Sequence, residues 1–180
     1  MAFDLAAFPE VVRVYAAQKI AAEEIQQQAR EAVELDVLAV RGLGLFGLND
    51  SLLRGCLPHE QSGRRLRIRV ALLDPESDAL ARRAAEIGES VESLAGGVHL
   101  AEARLRELAG SYDIGVWRYR TLPTWRIIRT DSTLFIGVFD AGWEGHESAT
   151  YKVMETPNGP LYRGFRRMFE TVVGGARRTL

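Results

Sequence analysis

Two patterns of hydrophobic and polar residues occur along the chain, one typical of strands and the other typical of helices. Short runs rich in Val, Ile, Leu and aromatic residues are typical of strands, and longer segments rich in Ala, Glu, Gln and Arg are typical of helices. The predicted strands are residues 11–15, 34–40, 66–73, 113–119, 125–130, 133–139 and 149–155. The predicted helices are residues 16–33, 49–57, 77–91, 94–108 and 158–173. Residues 175–180 carry no clear pattern, and we expect a frayed tail there.

The order of these elements indicates the fold class. Strands and helices alternate in the first half of the chain, which favours parallel strands joined by crossover helices. The run of strands after residue 113 favours hairpins that continue the same sheet. No repeat, low-complexity segment or linker interrupts the chain. We therefore expect one α/β domain over residues 1–180, with a mixed, largely parallel sheet flanked by helices.

The charge composition narrows the classes of partner. The chain has 23 Lys and Arg residues, 24 Asp and Glu residues and a formal charge of −1, so it lacks the basic excess usual in nucleic-acid-binding proteins. Arginine pairs such as Arg82-Arg83 alternate with acidic residues such as Glu86 and Glu102, which indicates solvated helix faces. No apolar stretch approaches the ~20 residues that span a bilayer, and the N-terminus lacks a signal-peptide pattern. Nucleic acid and membrane are therefore not favoured as partners, and we expect a cytoplasmic protein.

One segment of the chain carries a candidate anion site. Thr124, Arg126 and Asp131 have the spacing Thr-x-Arg-x4-Asp, and an apolar strand ending in Phe135-Ile136-Gly137 follows. This segment resembles the signature of phospholipase D-type enzymes, which is His-x-Lys-x4-Asp followed by an apolar strand and Gly. The order of elements around it is also similar to one half of such an enzyme.

Further matches extend the resemblance over nearly the whole chain. The chain resembles a bacterial phospholipase D-like domain of unknown function that is often found behind helix-turn-helix regulator modules. The matching segments are Arg13-Val14-Tyr15, Asp36-Val37-Leu38, Gly44-Leu45-Phe46, 69–75 and the helix around 165–169. The resemblance implies a phospholipase D-like fold. It also implies a homodimer, because single-copy members of the superfamily often pair so that two motifs meet.

The chemistry of the family shows what the differences in this chain change. In the family the histidine attacks phosphorus and forms a covalent intermediate, while the lysine neutralises the phosphoryl oxygens. Thr124 replaces the histidine, and a threonine hydroxyl cannot act as this nucleophile without an activating base. Arg126 replaces the lysine and can still bind an anion. The resemblance therefore implies a pseudoenzyme with a remnant phosphate site, which binds a small anionic or phosphorylated ligand, or a protein partner, in a regulatory system.

One histidine is a candidate replacement for the missing nucleophile. His59 and His99 lie at positions typical of the surface, whereas His146 lies in a loop that can face the strand bearing Arg126. An active phosphodiesterase or nuclease with His146 as nucleophile or base is therefore an alternative function. A purely structural oligomerisation domain is a third.

Metal and nucleotide cofactors are not expected. Glu144, His146 and Glu147 lie close together in sequence, but no second cluster matches them, and the single cysteine, Cys56, provides neither a disulfide within the chain nor a cysteine-based metal site. Gly42-x-Gly44-x-x-Gly47 has the letters of a dinucleotide fingerprint but opens no long helix. It predicts a bent apolar loop that packs on the sheet.

Polar residues at the ends of predicted strands enlarge the candidate site. Ligands bind at the carboxyl ends of strands in α/β sheets. We therefore expect Arg41, Asp74, Arg126 and Glu147 to share one pocket. The candidate ligand-binding residues are Arg126, Thr124, Asp131, Arg41, Asp74, His146 and Glu147.

Overall fold

A computed structural model of the chain describes residues 9–57 and 66–180. The strands are β1 (Val11–Tyr15), β2 (Glu34–Leu38), β3 (Arg67–Leu73), β4 (Asp113–Tyr119), β5 (Trp125–Thr130), β6 (Thr133–Val138), β7 (Thr150–Met154) and β8 (Arg177–Arg178). The helices are α1 (Gln18–Glu31), α2 (Asp78–Glu86), α3 (Val91–Leu108) and α4 (Pro160–Gly174), with a π-helical turn at Leu43–Gly47 and a 3-10 turn at Arg54–Cys56. None of these helices is long and apolar enough to cross a bilayer. The predicted strands and four longer helices are confirmed with small shifts of their ends, whereas the helix predicted over 49–57 is only the 3-10 turn.

The break between α2 and α3 lies earlier than the sequence suggests. α2 ends at Glu86, and Gly88 follows with a φ of +68°, a left-handed conformation that favours glycine. Ser90 then caps α3, because its side chain accepts a hydrogen bond from the backbone N–H of Ser93 at 3.1 Å. Ser93 therefore lies in the first turn of α3 rather than in the break.

All the strands belong to one sheet, in the order β1-β7-β6-β5-β2-β3-β4-β8. β2, β3 and β4 pair in parallel, and the other neighbours pair antiparallel. The mixed sheet flanked by helices is confirmed, as are the hairpins in its second half, but the parallel part is confined to these three strands. β1 pairs antiparallel with β7 at one edge, so β1, α1 and β2 do not form the predicted parallel crossover unit.

The last residues do not form the frayed tail that the sequence suggests. β8 pairs antiparallel with β4, and the N–H of Thr179 donates to the carbonyl of Val116 at 2.8 Å. The guanidinium of Arg178 lies 5.3 Å from the centre of the Trp117 ring, within the range of a cation–π contact. A strand of two residues leaves no periodic pattern in the sequence, which is why this edge strand was not predicted.

The two faces of β5 point into different layers of the molecule. Trp125 faces α4, where its ring meets that of Phe165 edge to face with centroids 4.9 Å apart. Side chains alternate along a strand, so Arg126 and Thr130 point to the opposite side. There the Thr130 hydroxyl donates to Oε1 of Gln28 in α1 at 3.2 Å. Arg126 therefore projects into the layer that contains α1.

A cluster of ion pairs joins the sheet to α4. Asp36 of β2 accepts hydrogen bonds from Arg69 of β3 and Arg129 of β5, at distances of 2.6 to 2.8 Å. Arg69 also donates to Glu170 of α4, and Arg129 donates to Glu34. These hydrogen bonds lower the pKa of Glu170 and of Glu34. Both arginines of this cluster are thus matched by carboxylates.

The prediction that the charged residues of the central helices are solvated is wrong at two positions. Glu102 of α3 is fully buried and accepts hydrogen bonds from Arg118 and Arg106. Arg83 of α2 is only 2% exposed. Both residues pair with opposite charges, which is the usual condition for burying an ionised side chain.

Candidate anion-binding site

A cavity of about 90 Å³ lies at the carboxyl end of β2, on the side of the sheet that carries α1 and α3. Its walls come from the segment 39–45 after β2, from the loop 139–149 between β6 and β7, and from residues of α1, α2, α3 and β5. A cavity of this size holds a few water molecules or a small ion. Its polar and charged side chains are those of Gln18, Arg41, Arg83, Arg126, Glu144 and His146.

Arg126 is the buried arginine that has no acidic partner among the described residues. It is 5% exposed, and its one hydrogen bond there, from Nη2 to Oγ1 of Thr150, is long at 3.4 Å. The other two buried arginines, Arg83 and Arg129, each bond a carboxylate. Burial lowers the pKa of Arg126 to about 10, so its guanidinium remains charged at neutral pH. The cavity therefore contains an uncompensated positive charge.

Two glycines leave room for the Arg126 guanidinium. Gly137 lies directly opposite Arg126 on β6, and a Cβ at this position would be 3.0 Å from Nη2. Gly145 lies in the loop, where a Cβ would be 3.3 Å from Nη1 and 2.4 Å from the Phe139 ring. A side chain at either position would crowd the cationic group or the loop beside it.

Arg41 connects α3 and the loop across the cavity. Its Nη1 donates to both carboxylate oxygens of Glu89 at 2.8 and 3.0 Å, and its Nη2 donates to Glu144. The absence of a side chain at Gly97 lets its stem lie against α3, since a Cβ there would be 2.9 Å from Arg41 Cδ. Burial opposes the charged form, but the two carboxylates outweigh it and raise the pKa of Arg41. Arg41 is thus already neutralised.

Arg83 holds the same loop from α2. Its Nη1 donates to the carbonyl oxygen of Asp140 at 2.9 Å, and its Nη2 donates to that of Trp143 at 2.6 Å. Nη1 also pairs with Glu86 at 2.8 Å, and the guanidinium lies 5.3 Å from the centre of the Phe139 ring. The loop 139–149 is therefore attached to the body of the protein through two arginines.

Gln18, the first residue of α1, lines the cavity, and its amide oxygen is buried without a hydrogen-bond partner. The residue is 9% exposed, and its Oε1 has no hydrogen-bond partner in the structure. Its backbone N–H donates to the carbonyl oxygen of His146 at 3.2 Å, which joins the loop to the start of α1. A buried polar atom without a partner costs about 1–3 kcal/mol. A ligand in the cavity can provide that partner.

The structure separates Arg126 from the other two residues of its motif. Thr124 is exposed and lies outside the cavity lining. Asp131 lies at the opposite end of β5, on the order of 17 Å along the strand at ~3.3 Å per residue. There it has a φ of +49°, and its carboxylate accepts hydrogen bonds from the backbone N–H groups of Val33 and Glu34. The expectation that Thr124 and Asp131 share a site with Arg126 is therefore not met.

The structure brings together two of the four residues that were predicted to share one pocket. Arg41 and Arg126 line the same cavity. Asp74 is buried elsewhere, where it shapes the turn into α2 and pairs with Arg120 at 3.0 Å. Glu147 is exposed and accepts a hydrogen bond from a backbone N–H of its own loop. Asp74 and Glu147 thus have local structural partners outside the cavity.

Of the two histidines that the structure describes, His146 lines the cavity and His99 does not. The His146 side chain is 62% exposed, and its Nδ1 lies 3.2 Å from Oε2 of Glu144. His99 is exposed on α3, and His59 lies outside the described residues. In the ranges 9–57 and 66–180 no group of three or more His, Cys, Asp or Glu side chains is placed to hold a metal ion.

Two residues of the cavity, Gln18 and Arg83, were not predicted as site residues, although their spacing along their helices indicates that they are buried. Gln18 and Arg83 each lie on the buried face of their helix. Gln18 begins a series that continues with Ala21, Ile25 and Ala29, and Arg83 lies three and four residues after the buried residues Leu80 and Ala79. A polar residue on such a face needs a buried partner or a cavity.

Comparison with known proteins finds similarity in structure only. No family model matches the chain, and no curated protein matches it. TrmBL2, described as an archaeal chromatin protein with a novel mode of DNA binding, has a TM-score of 0.55 at 12% identity and covers 97% of this chain. NucT from Helicobacter pylori has a TM-score of 0.55 at 8% identity, over 91% of this chain and 96% of its own. Nuc from Salmonella typhimurium, a phospholipase D family member, has a TM-score of 0.47 at 14% identity, over 88% and 90% of the two chains.

These likenesses concern the fold. The chain shares the fold of NucT, and the α/β class with a mixed sheet flanked by helices, which the sequence predicts, is confirmed. Identities of 8 and 12% carry the likeness no further than the fold. The chain spans 58% of the length of TrmBL2.

Proposed function

We propose that this chain is a regulatory domain of phospholipase D-like fold that binds a small anion at Arg126 and does not hydrolyse phosphodiesters. The observation that carries this proposal is the buried guanidinium of Arg126, which faces a cavity and lacks a carboxylate partner among the described residues. A buried charge without a partner is costly. An anion in the cavity removes this cost and forms charge-assisted hydrogen bonds with the guanidinium.

The position of the possible nucleophiles supports binding over hydrolysis. Thr124, which replaces the catalytic histidine of the family signature, is exposed and outside the cavity. Among the described residues, no carboxylate or imidazole is hydrogen-bonded to its hydroxyl, and such a base is what activates a hydroxyl nucleophile. The cationic part of the family's site is therefore retained here in Arg126 without its nucleophile.

The loop 139–149 offers a route by which binding can be transmitted. Arg41 pairs with Glu144, and Arg83 holds two carbonyl groups of the loop. An anion at Arg126 lies beside both contacts, so its charge acts on the attachment of the loop. By analogy with single-copy phospholipase D-like proteins, we expect a homodimer, with twice the 20.0 kDa mass of one chain in light scattering.

A thermal-shift panel of anions tests the proposal. Arg126→Met removes the charge but keeps an unbranched apolar stem, and Arg82→Met removes one charge from the exposed side of α2 as the matched control. An anion at a hundredfold excess over its Kd stabilises a protein by about 2.7 kcal/mol, which raises the Tm of a chain this size by roughly 5–10 °C. We expect this shift in the wild type and in Arg82→Met, and its loss in Arg126→Met. An equal shift in Arg126→Met, or no response of the wild type to any anion, contradicts the proposal.

An active phosphodiesterase is the second candidate, because His146 lines the cavity that contains Arg126. Turnover of bis-p-nitrophenyl phosphate and of single-stranded DNA, measured with wild type and His146→Ala, tests it. Turnover that disappears in the variant supports this candidate. No turnover, or equal turnover in both proteins, rules out chemistry at His146.

A purely structural oligomerisation domain is the third candidate. It predicts a defined oligomer in light scattering and no response to any anion in the panel. TrmBL2 is described as DNA-binding, whereas the balanced charge of the present chain gives no support for that partner. A duplex DNA arm in the same panel tests this point.

A further inference from the structure

The charges around the cavity limit the charge of the ligand. Arg41 already faces two carboxylates, those of Glu89 and Glu144, and Arg83 faces Glu86 and two carbonyl groups. Arg126 is therefore the remaining cation of the lining that is free to balance a ligand. A single negative charge is the most that it can neutralise.

A dianion is disfavoured by the same carboxylates. A phosphate monoester carries ≈ −1.5 to −2 charges at neutral pH. Its second charge would lie at the cavity beside Glu144, without a cation to match it. Like charges close together repel each other. A carboxylate carries one charge, and its planar geometry suits bidentate contact with a guanidinium.

The rest of the lining consists of apolar groups and the polar side chains of Gln18 and His146. The apolar side chains come from the segment after β2, from α2 and α3, and from the loop, and they are those of Val40, Leu45, Ile87, Leu94 and Phe139. An apolar lining favours a ligand with carbon groups to bury. The amide oxygen of Gln18, which is buried and unpaired, needs a hydrogen-bond donor. The lining thus favours an organic anion over an inorganic one.

The geometry points to a small organic monocarboxylate that bears a hydroxyl or amine substituent as the ligand of this cavity. Its carboxylate binds Arg126, its carbon skeleton contacts the apolar wall, and its substituent donates to Gln18. This inference rests on the proposed anion site and specifies the class of anion.

Isothermal titration of the whole chain with six probes tests the class of ligand. The probes are lactate, propionate, the neutral analogue lactamide, inorganic phosphate, phosphoserine and the monoanionic diester dimethyl phosphate. We expect lactate and propionate to bind the wild type at least tenfold more tightly than any phosphate compound, and lactamide and the Arg126→Met variant to show no binding. We expect lactate to bind more tightly than propionate by about tenfold, the effect of one satisfied buried hydrogen bond. Gln18→Met should remove this preference and retain propionate binding.

The outcomes separate this inference from the function on which it rests. Tighter binding of a phosphate compound that is lost in Arg126→Met overturns the carboxylate assignment and leaves the anion site in place. An equal preference for lactate in Gln18→Met overturns the role of Gln18. No binding of any anion to the wild type overturns both the assignment and the proposed function.

Discussion

Arg126 and Arg129 lie on the same strand, three residues apart, and both are buried. Arg129 donates to Asp36 and Glu34, and these carboxylates compensate the loss of its hydration. Arg126 faces the opposite layer and has a single long hydrogen bond to Thr150. The two residues share their strand and their burial but differ in their partners, and the proposed anion site depends on this difference.

Equivalent substitutions of these arginines should therefore have opposite effects on stability in buffer without bound anion. Arg126→Met removes an uncompensated charge and should leave the free energy of unfolding unchanged or raise it by about 1–3 kcal/mol. Arg129→Met leaves buried Asp36 with one arginine fewer and should lower the free energy of unfolding by about 3 kcal/mol or more. Urea denaturation of both variants measures these changes. Destabilisation of equal size in both would show that Arg126 is a structural residue.

At the scale of elements, the loop 139–149 forms one wall of the cavity and is attached through charged side chains. Glu144 reaches Arg41, and the carbonyl groups of Asp140 and Trp143 accept hydrogen bonds from Arg83. The carboxylate of Glu144 also lies at the cavity, where it repels an incoming anion. The loop thus contributes both a wall of the cavity and a carboxylate that would oppose the binding of an anion there.

Glu144→Gln should strengthen anion binding. The substitution removes a negative charge from the lining and frees part of Arg41, so we expect affinity to rise by about tenfold, equivalent to ~1.4 kcal/mol. Glu147→Gln makes the same charge change three residues later in the loop, at an exposed position outside the cavity, and is the matched control. Titration calorimetry with the best anion of the panel measures both variants. Weaker binding by Glu144→Gln, or equal strengthening by Glu147→Gln, would contradict this account of the loop.

The sequence was sufficient to locate most strands and helices, but it did not show which strands pair with each other. Helical and strand periods located β1 to β7 and α1 to α4, and the structure places Arg126 in the lining of a cavity. The antiparallel pairing of β5 with β2 places Arg126 beside the carboxyl end of β2 and Asp131 at the far end. Spacing along one strand contains no information on which neighbouring strand it meets, or in which direction. The position of Arg126 beside the carboxyl end of β2 therefore followed only from the pairing, whereas its distance from Asp131 follows from their spacing along the strand.

At the scale of the whole molecule, a cluster of carboxylates and arginines joins the centre of the sheet to α4. Asp36, Arg69 and Arg129 come from adjacent strands, and Glu170 comes from the helix that covers them. The side of the sheet that faces α4 is thus internally neutralised, while the opposite side contains the cavity with its unpaired cation. Among the described residues, the α4 side of the sheet thus has a cluster of paired charges, and the opposite side has a buried arginine without an acidic partner.

Acid should reduce the contribution of Glu170, the α4 member of this cluster, to the free energy of unfolding. The pKa of Glu170 is lowered in the folded protein, mainly by hydrogen bonds from Arg69, so its contribution to stability is present above its unfolded pKa of about 4.5 and is lost as pH falls through its folded pKa. The difference in unfolding free energy between wild type and Glu170→Gln should therefore be largest near neutral pH and shrink toward pH 3. Urea denaturation across this pH range measures it. A difference that stays constant with pH would show that the ion pair with Arg69 does not stabilise the fold.

The most direct test of the central claim compares the urea midpoints of wild type and Arg126→Met, each without anion and with a saturating concentration of the best anion from the panel. Without anion, Arg126→Met should have a midpoint equal to or above that of the wild type, because it lacks the unpaired buried charge. With anion, the wild type should gain stability and overtake the variant, whose midpoint should not move. If Arg126→Met is less stable than the wild type under both conditions by the same amount, Arg126 serves the fold alone, and the cavity is not an anion site.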